Sequence, residues 1–414
     1  VTDLKTWQRR VFAATWFSYF AYYFGRKPFN IAKSTLQREY GWTPSDLGDL
    51  GAIYLVTYTI GQFMAGFAGN RLGPRRVLLA GMSATLVAAL AFGFTSSFAV
   101  FALFMAANGI AQATGWSANV GTMGAWFPRA VRGRILGVWT TNFQVGALVS
   151  AWLAAACVPY GLVPAFASGA VVVGLGIALV LWGQRDRPED VGLSVPDNAP
   201  PIDGEPPPEA DEDGGWTRDV ITDIGLIAAF YFCAKFIRYA IWSWAPYLLE
   251  TQLGLKADEA GYVSTIFDMS GIVGVITLGW VSDRYFAGRR VLPCLLSVVA
   301  LAISTALLYL VGTTDVRLFA LFMGMIGFTL YGPDAMLTST GAIDVGPRKN
   351  AALAAGIISG FGSMGPVVQE VLLGRQLNDG DVGAVARMLF ASALGALLSL
   401  SVLLVRTRRG SSRL

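Results

Sequence analysis

The chemistry of this 414-residue chain can be read from two arginines, Arg26 and Arg238. Arg26 follows fifteen uncharged residues, Val11 to Gly25, and is itself followed by Lys27. A guanidinium at membrane depth costs about 3 kcal/mol on insertion scales, so it needs a partner, a wet cavity or a function. The stretch then recurs. Tyr19, Phe20, Phe24 and Arg26 align with Tyr231, Phe232, Phe236 and Arg238 at a constant offset of 212 residues. On a helix, Tyr19, Tyr23 and Arg26 stand four and three residues apart and share one face, which Asn30 extends. Tyr231, Lys235 and Arg238 occupy the same positions in the second copy.

Two arginines flanked by phenols suit a phosphate ester. Such a group carries between one and two negative charges at neutral pH and presents three acceptor oxygens. The arginine fork donates paired hydrogen bonds to those oxygens and keeps its proton. Tyrosine hydroxyls can serve the oxygens that remain. The competing reading is that buried acids neutralise these cations and merely tie helices together, with Asp268 and Asp334 as the candidates. Duplication of the arginine favours a binding site over two unrelated ties. Asp268 is read as a structural or gating partner of Arg238 or Lys235. Asp334 follows Tyr331-Gly-Pro333. A carboxylate repels phosphate, so Asp334 is expected away from both arginines, either accepting from substrate hydroxyls or neutralising Lys235. Glu370 is expected at a membrane interface.

The elements that position these residues are membrane helices. Hydrophobic residues make up 54% and charged residues 14% of the chain, against roughly 25% charge in soluble proteins; mean hydropathy is +0.53. The net charge of +4 therefore does not indicate a nucleic-acid partner. Three cysteines, all in apolar segments, and the absence of histidine argue against a disulfide framework, a metal site or a cofactor. No nucleotide loop is present, and an enzyme is not expected. The first apolar run is too long for a cleavable signal.

Twelve segments reach the roughly 20 residues needed to cross a bilayer. They lie near 11–36, 47–69, 77–96, 98–126, 134–157, 163–182, 221–249, 260–281, 291–312, 317–342, 351–373 and 384–405. The predicted fold is an all-α membrane protein, 12 transmembrane helices in two pseudo-symmetric six-helix bundles at 1–183 and 217–414, with the arginine faces meeting at a central cavity. Residues 184–216, with ten acids and seven prolines, read as a solvated linker. Of 31 Lys and Arg, 21 fall on the side of the N-terminus, six (Lys33 among them) on the other and four within the membrane, which makes both termini cytoplasmic.

A second repeat confirms the halves. Gly66 to Arg76, containing Asn70 and Arg71, follows the second segment, and Gly279 to Arg290, containing Asp283 and Arg284, follows the eighth. This pair resembles the loop signature of the major facilitator superfamily, with Asn70 where an Asp is usual. That departure bears on the gating interactions of the first half.

The segments YYFGRKPFN, FIRYAIWSWAPYL, STIFDMSGIVG, GWVSDR, TLYGPDAML, GPRKNAALAAG and DRPEDVGL resemble the organophosphate:phosphate antiporter family within that superfamily. The resemblance implies that Arg26 and Arg238 bind phosphate, with Tyr19, Tyr23, Tyr58 and Tyr331 as cavity tyrosines. Lys27, Lys235, Gln62 and Asp334 are further substrate-binding candidates, Lys235 and Asp334 being charges that the glycerol-3-phosphate and hexose-phosphate transporters lack. Gln62 and Phe143 stand where a glycerol-3-phosphate transporter has lysine and histidine, and Ser363 where it has tyrosine. Ile358 and Ala355 replace the ion pair of the hexose-phosphate transporter. Lys235 is read as compensating for Gln62. The implied function is exchange of an organic phosphate (sugar phosphate or glycerol-3-phosphate class) for inorganic phosphate by alternating access, in a monomer of the bacterial inner membrane. The alternatives are a transporter-like sensor of sugar phosphate and a proton-coupled organic-anion symporter.

Overall fold

Apolar runs of this length have one solution in lipid, since only a helix satisfies its own backbone groups within a single segment. The computed structural model describes residues 3–128, 135–194, 217–286, 291–312, 314–337 and 351–409, and the regular structure among them is helical. Eleven helices among the described residues are long and apolar enough to cross a membrane.

The expected first span, 11–36, is divided. It comprises α1 (Leu4–Tyr22), a 3-10 turn (Tyr23–Gly25), α2 (Lys27–Ile31) and α3 (Lys33–Tyr40). Pro28 at the start of α2 explains the break. Its ring excludes the carbonyl four residues back and it offers no N–H, so the α1 ladder cannot run through. In the second copy the equivalent residue is Ala240, and the helix there continues unbroken from Arg218 to Thr251. Arg26 therefore sits at a helix junction, with φ −119°, whereas Arg238 is mid-helix.

The remaining helices are α4 (Pro44–Leu72), α5 (Pro74–Phe94), α6 (Phe98–Trp126), α7 (Thr141–Cys157), α8 (Leu162–Gly183), α9 (Arg218–Thr251), α10 (Ala257–Ser264), α11 (Ile266–Tyr285), α12 (Val291–Leu307), α13 (Val316–Met336), α14 (Ala351–Asn378) and α15 (Val382–Arg408). They form two compact units. One holds α1–α3, α4 from Ile53, and α5–α8; the other holds Gly41–Ala52 with α9–α15.

The first unit is built on a polar ladder that joins α1 and the 3-10 turn after it to α6. Asn108 donates to the Gly25 carbonyl at 2.8 Å, the Tyr22 hydroxyl meets Thr114 at 2.7 Å, and Asn119 meets Ser18 at 3.0 Å. In lipid such interhelical bonds replace part of the missing hydrophobic drive. Around them pack Tyr22, Leu78, Met82, Trp126, Trp139 and Val173. The start of the acidic linker is folded onto this unit. The Asp186 carboxylate accepts from the Arg75 backbone N–H at 2.6 Å, at the N-terminus of α5, where a helix favours negative charge. Gly73, at φ +87°, makes the turn into that contact; a Cβ there would stand 2.5 Å from Asp186 Oδ2.

In the second unit Arg406 at the end of α15 pairs with Asp219 and Asp223 at the start of α9, each at 2.8 Å. Pro333 inside α13 removes a hydrogen bond to the Thr329 carbonyl, and Ser297 of α12 supplies the replacement at 2.8 Å. Lys33 is fully buried and Glu370 is only 3% exposed. Glu370 lies against the first turns of α4, where Gly51 has no side chain to exclude it; a Cβ there would be 2.8 Å from the carboxyl carbon.

Candidate functional site

In the first unit the helix break presents Arg26 to a ring of aromatics. Its guanidinium carbon lies 5.1 Å from the Tyr23 ring, 5.5 Å from Tyr54 and 5.0 Å from Tyr58. Its Nε donates to Gln112 Oε1 at 2.9 Å, and the Tyr54 hydroxyl donates to the same oxygen at 3.0 Å. Gln112 is oriented in turn by donating to Asn108 at 3.2 Å. Gly25 makes this possible, because a Cβ there would collide with Thr85 and stand 3.0 Å from Gln112 Nε2. Tyr19 is a turn further along α1, edge-on to Tyr23 at 6.1 Å and packed beside Trp116 and Trp139. Lys27 is buried at the start of α2. Gln62 is exposed, one turn beyond Tyr58 on α4.

In the second unit Arg238 is held differently. Its Nη1 donates to Asp334 Oδ2 at 3.0 Å, and its guanidinium carbon lies 4.4 Å from the Tyr331 ring. This corrects the expectation that Asp334 stays away from the arginines. Attraction between a guanidinium and a carboxylate in a weakly screening interior outweighs the carboxylate's unsuitability for an anion site. Asp268 is buried and accepts from the Tyr331 hydroxyl at 2.6 Å, and the ring of that tyrosine lies against Arg238. Gly271 lets the Tyr331 ring lie on α11, since a Cβ there would be 2.6 Å from the ring. Lys235, one turn before Arg238, donates to Ser363 at 3.2 Å and sits 4.5 Å from the Tyr231 ring. That ring fills the space left by Gly362.

Arginine over a phenol face is a favourable cation–π arrangement. Each unit thus offers one arginine on a tyrosine face, Arg26 at the junction between the 3-10 turn and α2 and Arg238 within the membrane-spanning α9. The second unit also contains an apolar pocket of about 230 Å³ between α9, α13 and α15, lined by residues such as Ile241, Leu248, Phe319 and Leu389. Its lining residues carry no charge. Among the described residues no group of His, Cys, Asp and Glu could hold a metal.

The loop residues of the second repeat add less. Arg71 is exposed over Phe67 at 4.2 Å, and Arg284 is exposed in the last turn of α11. The side chains of Asn70 and Asp283, and the segment 338–350 with much of GPRKNAALAAG, lie outside the described residues. Sequence reasoning missed Asn108, Gln112 and Tyr54. The signal was there for the first two, polar residues one turn apart in an otherwise apolar α6.

Residues 15–365 and 227–414 match the Major Facilitator Superfamily. A solved bacterial homolog of the human lysosomal transporter Spinster superposes with a TM-score of 0.74 at 12% identity, covering 99% of this chain and 98% of that one. The chain belongs to this superfamily of integral membrane proteins. Within it, the chain is a member of the organophosphate:phosphate antiporter group. It is 30% identical to the putative glycerol-3-phosphate transporter 2 of Arabidopsis thaliana over 97% of this chain and 88% of that protein. It is 30% identical to sugar phosphate exchanger 3 of Mus musculus over 88% and 86%. It is 28% identical to the membrane sensor protein UhpC of Escherichia coli over 98% and 94%.

Proposed function

We propose that the chain is a secondary transporter that exchanges an organic phosphate, of the sugar phosphate or glycerol-3-phosphate class, for inorganic phosphate by alternating access. The observation that carries this reading is the repeated arginine. Arg26 and Arg238 occupy equivalent points of a duplicated chain, each on a tyrosine face, Arg26 at a helix junction and Arg238 within α9. The relatives named for glycerol-3-phosphate and sugar phosphate support the substrate class. In this reading Arg26 and Arg238 bind the phosphate, and Tyr23, Tyr58 and Tyr331 support them. Lys27 and Lys235 add positive charge, and Tyr19 and Gln62 lie beside the path. Inorganic phosphate is the counter-substrate because it presents the same group that both arginines recognise. The protein works as a monomer in a bacterial inner membrane, with two six-helix halves, 1–183 and 217–414, and both termini cytoplasmic.

Similarity to a membrane sensor along nearly the whole chain keeps one other reading in view, a receptor that binds sugar phosphate without moving it. Counterflow of labelled inorganic phosphate in proteoliposomes separates the two. Uptake driven by internal unlabelled phosphate or phosphate ester is the expected result. Binding without counterflow would assign the receptor, and uptake driven only by a pH gradient would assign proton symport.

A further inference from the structure

Asp334 is a carboxylate where an anion is meant to bind, and its position calls for an account. It pairs with Arg238 at 3.0 Å, with side chains 9% and 27% exposed respectively. An arginine inside the membrane needs a counter-charge at every stage of a transport cycle, including the stage at which no substrate is present. A substrate phosphate supplies one only while bound. Asp334 supplies it from the chain itself. Its placement also allows movement, because it directly follows Pro333, where the hydrogen-bond ladder of α13 is interrupted and the Thr329 carbonyl is held from α12 instead. Below it, Tyr331 is anchored to Asp268 and keeps the guanidinium on its face whichever anion occupies the edge.

We propose that Asp334 is an internal counter-anion, which holds Arg238 when the phosphate site is empty and is displaced when phosphate binds. Competition between the carboxylate and phosphate lowers affinity, and return of the carboxylate speeds release. Exchange then runs fast at the expense of tight binding. This rests on the phosphate reading above and adds to it a residue that sets affinity against turnover by acting through Arg238.

The test is binding of inorganic phosphate to the purified full chain, together with phosphate–phosphate exchange in proteoliposomes. Four forms are compared: wild type, Asp334→Asn, Arg238→Gln and the double variant. Asp334→Asn is expected to tighten Kd at least tenfold and to lower the maximal exchange rate. In the Arg238→Gln background it should change Kd less than twofold, because the competition has lost its object. A merely structural ion pair predicts that Asp334→Asn weakens binding or leaves it unchanged, and either result overturns the proposal. Should the Asn variant fail to fold, Asp334→Ser is read in the same way. If both neutral variants fail to fold and Asp334→Glu folds, the pair is structural and the proposal is wrong. Wild type that binds no phosphate ends the phosphate reading and this proposal together. Wild type that binds phosphate, with Asp334→Asn unchanged, removes the counter-anion alone.

Discussion

The hydroxyl of Tyr331 donates to Asp268 at 2.6 Å, and the ring of the same tyrosine lies 4.4 Å from the Arg238 guanidinium carbon. One side chain thus links α11, α13 and α9 at the site. Asp268 is only 6% exposed, so a hydrogen-bond partner within the protein matters to it. Tyr331→Phe keeps the aromatic face but removes the donor. It should cost about 1–3 kcal/mol, read as a lower melting temperature in detergent. Adding Asp268→Asn should recover part of the loss, since the unsatisfied group is then neutral. A Phe variant as stable as wild type would show that the bond does not support the site.

Gln112 gives a prediction of opposite sign to that for Asp334. It meets Arg26 with a neutral oxygen at 2.9 Å. Gln112→Glu places a carboxylate there with almost no change of shape. Attraction between close opposite charges is strong in a poorly screened site. Phosphate affinity should therefore fall about tenfold, measured by displacement of labelled phosphate. Unchanged affinity would separate Arg26 from the phosphate.

Lys235 shares a helical face with Arg238 and donates to Ser363 at 3.2 Å. Lys235→Gln should weaken inorganic and organic phosphate together, by roughly threefold to tenfold, because the anionic group is common to both. Displacement curves for the two ligands check this. A loss confined to the organic phosphate would place Lys235 at the sugar or glycerol end.

Gly25→Ala tests the packing that delivers Gln112 to Arg26. The added methyl collides with Thr85 in a buried contact between α5, α6 and the 3-10 turn. Overpacking of this kind costs about 1–3 kcal/mol. The variant should melt lower than wild type and lose phosphate binding. A variant that keeps both would mean that the two helices can move apart without disturbing the site.

Much of this protein was legible in its sequence, because apolar length and charge placement are local properties. The membrane helices, the repeated arginine and the group resemblance all follow from stretches of a few dozen residues. The break at Tyr23–Gly25 was also written locally, in Gly25 and Pro28, although the four-and-three spacing of Tyr19, Tyr23 and Arg26 suggested a continuous helix. The Asp334–Arg238 pair was not legible. It joins residues 96 apart in the chain, and no spacing rule within α9 or α13 aims one at the other. Charge reasoning alone pointed the wrong way, since it weighed the carboxylate against an anion and not against the neighbouring guanidinium. Burial of Lys33 and Glu370 is likewise a tertiary property. Both stand near segment ends, where sequence pattern suggests solvent.

The central claim is that Arg26 and Arg238 both hold the phosphate, and the fork of arginine is what makes it testable. Lysine keeps the charge but offers a point donor in place of paired N–H groups. Arg26→Lys and Arg238→Lys, each reconstituted in proteoliposomes, should each lose at least roughly tenfold in phosphate–phosphate exchange, about 1.4 kcal/mol of recognition. Exchange at the wild-type rate in either variant would contradict the assignment of that arginine.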